Sequence, residues 1–185
     1  RREDVKDSYL LYQARSDANG LFIFPGVPEG DHEIRLAYRE QGLMTAPGNP
    51  KSIRTVADLA NPGVMLANRN PGSGTRLWLD QQLSALKIPG HQISGYATAY
   101  HTHTQCACEV GEGRADAAIG LHAAARLHGL TFIPLFLERY DLVFSTENTD
   151  SLSPLLDTLQ TRTFRQKMSD LGGYEIIHTG EQIKI

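Results

Sequence analysis

The chain has 185 residues, of which 41% are hydrophobic and 21% charged, and a formal net charge of -3. That balance suits a globular α/β domain, or two small lobes sharing a hinge, around a packed core. It gives no electrostatic footprint for nucleic acid or an anionic membrane surface, and no apolar run approaches the ~20 residues of a spanning helix.

The opening Arg1-Arg2-Glu3-Asp4-Val5-Lys6 is charged and lacks the apolar stretch of a secretion signal. Asp17-Ala18-Asn19-Gly20 reads as a turn, Leu21 to Phe24 as a short strand and Pro25 to Gly30 as a loop. Glu33 to Tyr38 alternates polar and apolar residues, and Gly42 to Ala46 continues in extended form until Pro47-Gly48-Asn49-Pro50 breaks it. Thr55 to Leu59 predicts one helical turn, and Val64 to Asn68 a buried strand of the parallel-sheet kind. Arg76 to Leu86 follows as an amphipathic helix with Leu79, Leu83 and Leu86 on one stripe.

Downstream the pattern predicts a helix over Thr104–Glu112, a strand over Ala117–Gly120 and a helix over Leu121–Leu127. Leu130–Leu135 and Tyr140–Phe144 read as strands, and Ser153–Leu159 and Thr163–Leu171 as helices, the last stopped by Gly172-Gly173. Strands alternating with helices mean an α/β fold with a mostly parallel sheet.

Asn68-Arg69-Asn70-Pro71-Gly72-Ser73-Gly74-Thr75-Arg76 carries the strongest chemical signal. A buried strand ends, a Gly-rich turn follows, and a helix starts near Thr75. The first amides of a helix lack internal partners and sit at the positive end of its dipole, so they bind anions. Gly72 and Gly74 permit close backbone approach, Ser73 and Thr75 add hydroxyls, and Arg76 either supplies a charge-assisted bond or faces solvent. Ser73 and Thr75 acting as mere helix caps is the competing reading. No Lys follows the second glycine, so this is not a phosphate loop of the Walker type.

Several stretches, in this order, resemble the PBP-like (type II periplasmic-binding-protein-like) substrate-binding domain family. They are Arg39-Glu40-Gln41-Gly42-Leu43, Ala46-Pro47-Gly48-Asn49-Pro50-Lys51, Asn68-Arg69 with Gly72 to Arg76, Gly113-Arg114-Ala115-Asp116, Phe132 to Leu135, Glu138 to Leu142, and Leu171-Gly172-Gly173-Tyr174. The resemblance implies two α/β lobes with mostly parallel sheets, the first incomplete, and ligand held between them. Residues 1–44 would give a partial first lobe and the first hinge strand, 45–135 the second lobe with its ligand-binding helix starts, and 136–185 the second hinge strand and the return. Crossings would fall near Tyr38–Met44 and Glu138–Phe144. Family members are similar to molybdate-binding proteins and occur beside helix-turn-helix or molybdopterin-biosynthesis domains. The implied function is a non-catalytic sensor module for a small anion such as molybdate or tungstate, within a longer polypeptide whose missing or fused N-terminal segment would be such a domain; Cys106 and Cys108, one residue apart, offer no disulfide framework, so a reducing cytoplasm is the expected compartment. No cofactor, membrane or direct nucleic-acid contact is expected, and pairing of two copies is left open.

His101-Thr102-His103-Thr104-Gln105-Cys106-Ala107-Cys108 offers a second cluster. Two His and two Cys within eight residues are a candidate zinc or copper site, but on a helix starting near Thr102 the cysteines point to different faces. They are also too close for an easy disulfide. The resemblance instead places Thr102 and His103 at a second cleft-facing helix start and makes Cys106 a buried core residue. Where the family usually has an acidic residue before this helix, Tyr100-His101 stand here. Glu138-Arg139-Tyr140-Asp141 reads either as a surface ion pair at the end of a strand or as a cleft contact by Arg139 or Tyr140, since neighbours on a strand face opposite ways and its phase is open. Asp116 is expected to shape a turn. No Gly-x-Ser-x-Gly elbow or His-Glu-x-x-His pattern marks an enzyme. The expected ligand set is Ser73, Gly74, Thr75, Arg76, Thr102, His103, Arg139 and Tyr140, with no catalytic or metal-binding residue.

Overall fold

A computed structural model describes residues 15–16, 22–23, 32–144 and 149–184. The turn expected at 17–20 and the loop at 25–30 lie outside these residues. The strand expected at 21–24 is β2 (Phe22–Ile23), paired antiparallel with β1 (Arg15–Ser16).

The main sheet is built on β3 (His32–Thr45), with β4 (Leu66–Arg69), β5 (Ala99–Tyr100), β6 (Ala117–Leu121) and β7 (Thr131–Phe144) in the order β5-β4-β6-β3-β7. β4 pairs parallel with β5 and β6, while β3 is antiparallel to both β6 and β7. Four of these five strands therefore run one way and β3 runs against them. β8 (Tyr174–Glu175) and β9 (Gln182–Lys184) add to β3 beyond β6, so the C-terminal segment returns to this strand.

β3 and β7 are 14 residues each and stay paired from His32↔Phe144 to Thr45↔Thr131. The sequence reads each as two shorter pieces because charged and polar residues interrupt the apolar pattern in the middle. Those residues are extended because they pair with one another: Arg39 donates to Glu138 through Nε at 3.0 Å, and Gln41 through Nε2 at 2.7 Å. The register shifts between Gln41 and Gly42, opposite Phe136 and Pro134. Gly42 is required at this bulge, since a Cβ would run into the Ile133 carbonyl and the Phe132 ring.

The helices are α1 (Gly74–Ala85), α2 (His103–Gly111), α3 (His122–Leu127), α4 (Thr149–Gln160) and α5 (Arg162–Leu171). Thr55 heads a 3-10 turn over Val56–Ala60. α1 starts before the expected Arg76 and α2 before Thr104, since Ser73 and Thr102 cap them: their hydroxyls accept from the amides of Arg76 and Gln105. Gly172 ends α5 at φ 77, a conformation that favours glycine.

Alternation along the strands feeds two cores, one on each face. Leu43, Leu66 and Ile119 pack with Leu79 and Leu83 of α1 on one side. Met44, Ala67 and Ala118 pack with Cys106, Ala107 and Val110 of α2 and Ala124 and Ala125 of α3 on the other. The small residues of the second core let α2 and α3 lie close to the sheet, and their N-termini emerge at the carboxyl ends of β5 and β6. That edge of an open α/β sheet is where ligands collect. Among the described residues, no helix is long and apolar enough to cross a membrane.

Candidate functional site

The starts of α1 and α2 open into one cavity of about 910 Å³, lined among others by Arg69, Ser73, Gly74, Thr75, His101, Thr102, His103 and Thr104. Two turns, widely separated in sequence, converge there because β4 and β5 are parallel neighbours, Asn68 facing Ala99 and Arg69 facing Tyr100. Gly72 makes the first turn at φ 86, where a Cβ would meet nothing within 4 Å. Its value is therefore conformational and not a matter of space.

At α2 the capping box consumes several amides: Gln105 Oε1 accepts from His101 N at 2.8 Å and Thr102 N at 3.2 Å, and Thr102 Oγ1 accepts from Gln105 N. At α1 the Ser73 amide bonds to the Asn70 carbonyl. The amides of Gly74 and Thr75, and of His103 and Thr104, are the first of each helix and have no acceptor among the described residues. Ser73 and Thr102 use their oxygens as caps but keep their O–H groups for donation. Thr75 is different, because its hydroxyl donates to Gln41 Oε1 at 2.8 Å in the buried interior. The hydroxyl expected to serve a ligand is thus engaged with β3, and Thr75 offers the cavity its amide.

Arg69 contributes the charge. Its Nη2 donates to the His101 carbonyl at 3.1 Å, while its Nε is buried with no partner. Burial pushes its pKa down, yet a guanidinium stays charged at neutral pH. His103 Nδ1 is also buried without a partner, and it lies close to Gly120, where a Cβ would run into Met44 and come within 3.2 Å of the imidazole. Burial first, then the charges of Arg69 and Arg39, hold the His103 pKa down to about 3, so the imidazole is neutral.

The rest of the lining comes from β3, β7, α3 and the C-terminal segment. Arg39, Glu138, Tyr140, Leu127, Leu171 and Tyr174 belong to it. Arg39 pairs with Glu138 and stacks 4.0 Å from the centroid of the Tyr140 ring. Alternation along β7 therefore turns Glu138 and Tyr140 inward.

Two expected ligand residues are placed elsewhere. Arg139 is held by Asp141 at 2.5 Å and does not line the cavity. Arg76 is 8% exposed, bonded to Asp80 at 2.9 Å and to the Tyr96 carbonyl at 3.2 Å, and lies over the Tyr96 ring. It neither lines the cavity nor faces solvent, but clamps α1 to the chain before β5. Arg39 and Arg69 are the site residues that reading for helix starts passes over; a charged residue at the carboxyl end of a buried parallel strand is the signal that marks Arg69.

The His/Cys cluster diverges. Cys106 is fully buried in the core, with burial pushing its thiol to about 12, and Cys108 points to Glu112 at 3.1 Å. Among the described residues no three His, Cys, Asp or Glu side chains are grouped to hold a metal. Asp116 accepts from the Met65 amide at 2.7 Å and pairs with Lys51, tying the entry of β4 to that of β6.

A profile of the PBP superfamily domain matches residues 8–160. The chain is 36% identical over 150 residues to the uncharacterised protein YvgK of Bacillus subtilis, covering 81% of this chain and 49% of YvgK. It thus spans about half the length of that relative. In structure it is similar to PEB3 bound to L-phospholactate, with a TM-score of 0.56 and 14% identity over 77% of this chain and 68% of that one. It is also similar to a substrate-binding protein with bound phosphate from Clostridium perfringens, with a TM-score of 0.55 and 13% identity over 79% of this chain and 72% of that one.

Proposed function

Since the chain belongs to the PBP superfamily domain family, we propose that it is a non-catalytic module that binds a small anion between the starts of α1 and α2. One observation carries the reading. Arg69, whose guanidinium stays charged, lines the same cavity as two helix starts whose first four amides have no acceptor among the described residues. Oriented amides and one cation stabilise an oxyanion without a full countercharge, because helix dipoles and N–H groups supply fixed partial positive charge. The Ser73 and Thr102 hydroxyls complete the donor set, and neutral His103 lines the floor without adding a titrating cation.

Anions are what PEB3 and the Clostridium perfringens protein hold, L-phospholactate and phosphate respectively. Molybdate and tungstate have the same tetrahedral oxygen geometry and fit the same donors. The module acts as a sensor in the cytoplasm within a longer regulator or molybdopterin-related protein. The test is a melting experiment with phosphate, molybdate, tungstate and zinc. An anion bound to the native state alone raises Tm by mass action. A rise with an oxyanion that Arg69→Met abolishes supports the reading. A rise with zinc alone, lost on replacing Cys106 and Cys108 with Ala, replaces it with a metal site.

A further inference from the structure

The anion-binding pole occupies a small part of the cavity. At ~30 Å³ per water, 910 Å³ holds about thirty waters, whereas a tetrahedral oxyanion has five heavy atoms. Cavities of ~300–1,000 Å³ lined by apolar groups with a few placed polar ones are those that take organic ligands.

The remaining walls carry uncovered apolar side chains beside the charged Arg39, Glu138, Arg126 and Asp170. Leu127 is 73% exposed, Leu171 50% and Tyr140 43%, and all three line this cavity. A folded chain gains by covering such side chains, and an uncovered cluster of them inside a concavity marks a contact surface. They are held in place, not frayed: Arg126 beside Leu127 donates to the Asp170 carbonyl beside Leu171 at 3.0 Å, and Arg39 stacks on Tyr140. Of the two carboxylates that line the cavity, Glu138 is neutralised by Arg39 and accepts from Gln41, and Asp170 accepts from the Gln166 amide.

Resting on the anion reading above, we propose that the occupant is an organic oxyanion. Its charged group sits at Arg69 and the starts of α1 and α2, and an apolar body of about ring size lies against Tyr140, Leu127 and Leu171. A bare oxyanion would leave those side chains facing water.

Titration calorimetry of the protein with inorganic phosphate, phenyl phosphate and the uncharged benzyl alcohol tests this. Phenyl phosphate is expected to bind at least 10-fold tighter than inorganic phosphate, and benzyl alcohol to bind weaker than either. Leu127→Asn and Leu171→Asn replace exposed side chains and leave the fold intact. They should reduce the preference for phenyl phosphate at least 3-fold and leave inorganic phosphate unchanged. Inorganic phosphate binding as tightly as phenyl phosphate would overturn the organic body while leaving the anion site standing. Benzyl alcohol matching phenyl phosphate, or no binding of either anion, would overturn both this inference and the anion reading.

Discussion

Thr75, at the start of α1, donates its hydroxyl to Oε1 of Gln41, which lies on β3 34 residues earlier in the chain and is fully buried. Gln41 in turn donates to Glu138 on β7. One amide side chain thus ties the start of α1 to both long strands, and neither of its polar groups meets water.

Gln41→Leu should therefore cost ~1–3 kcal/mol of unfolding free energy, since it strands the Thr75 hydroxyl and removes a donor from Glu138. Urea unfolding measures it. Thr75→Ser keeps the bond and should stay within ~0.5–1.5 kcal/mol of the parent, the loss being one buried methyl. Equal costs for Gln41→Leu and an exposed control such as Gln81→Leu would refute the tie.

The arginines should separate cleanly. Arg69→Met removes a charged donor worth ~1.5–3 kcal/mol, a loss of about 10- to 100-fold in phosphate affinity. Arg139→Ala should change that affinity less than 2-fold. Arg76→Ala should chiefly lower stability, because its partners Asp80 and the Tyr96 ring belong to the scaffold. Titration calorimetry and urea unfolding on the same three variants would decide it.

His103 gives a pH signature. Its folded pKa of about 3 lies below the ordinary 6.5, so the unfolded chain takes up the proton first. Stability from this group is fully present above pH ~6.5 and is lost as pH falls toward 3, at up to ~1.4 kcal/mol per pH unit. His103→Gln removes that dependence. Between pH 7 and pH 5 the parent should lose about 1–2 kcal/mol more than the variant, and identical losses would contradict the assignment.

The cysteines should behave unequally. Cys106 is buried with its thiol pushed to about 12, whereas Cys108 is partly exposed. Iodoacetamide at pH 8 is expected to label Cys108 and spare Cys106 in the folded protein, with both labelled in urea; mass spectrometry reads the sites. Rapid labelling of both in the native state would place Cys106 outside the core.

Much of the fold was legible because local chemistry and tertiary structure agree. Val64 to Asn68 reads as a buried strand and β4 is one; Ser73 and Thr102 are good caps and both cap. The long strands were less legible, since Arg39 and Glu138 look like breaks in an apolar run until their cross-strand pairing is known. β5 has two residues and exists through its pairing with β4, so no local pattern announces it. In the site, helix starts can be read from capping residues, but the direction of a long side chain cannot. Arg76 and Arg69 flank the same turn, and packing against Tyr96 takes the first into the scaffold while Arg69 turns toward His101. Nor could the phase of β7 be fixed before its register with β3, which sets Tyr140 inward and Arg139 away.

Residue-resolved amide chemical shifts during titration with inorganic phosphate test the central claim most directly. The largest changes should fall on the amides of Gly74, Thr75, His103 and Thr104, with the Arg69 guanidinium resonances moving alongside them. Changes centred on Cys106 and Cys108, or none at the two helix starts when phosphate is saturating, would contradict it.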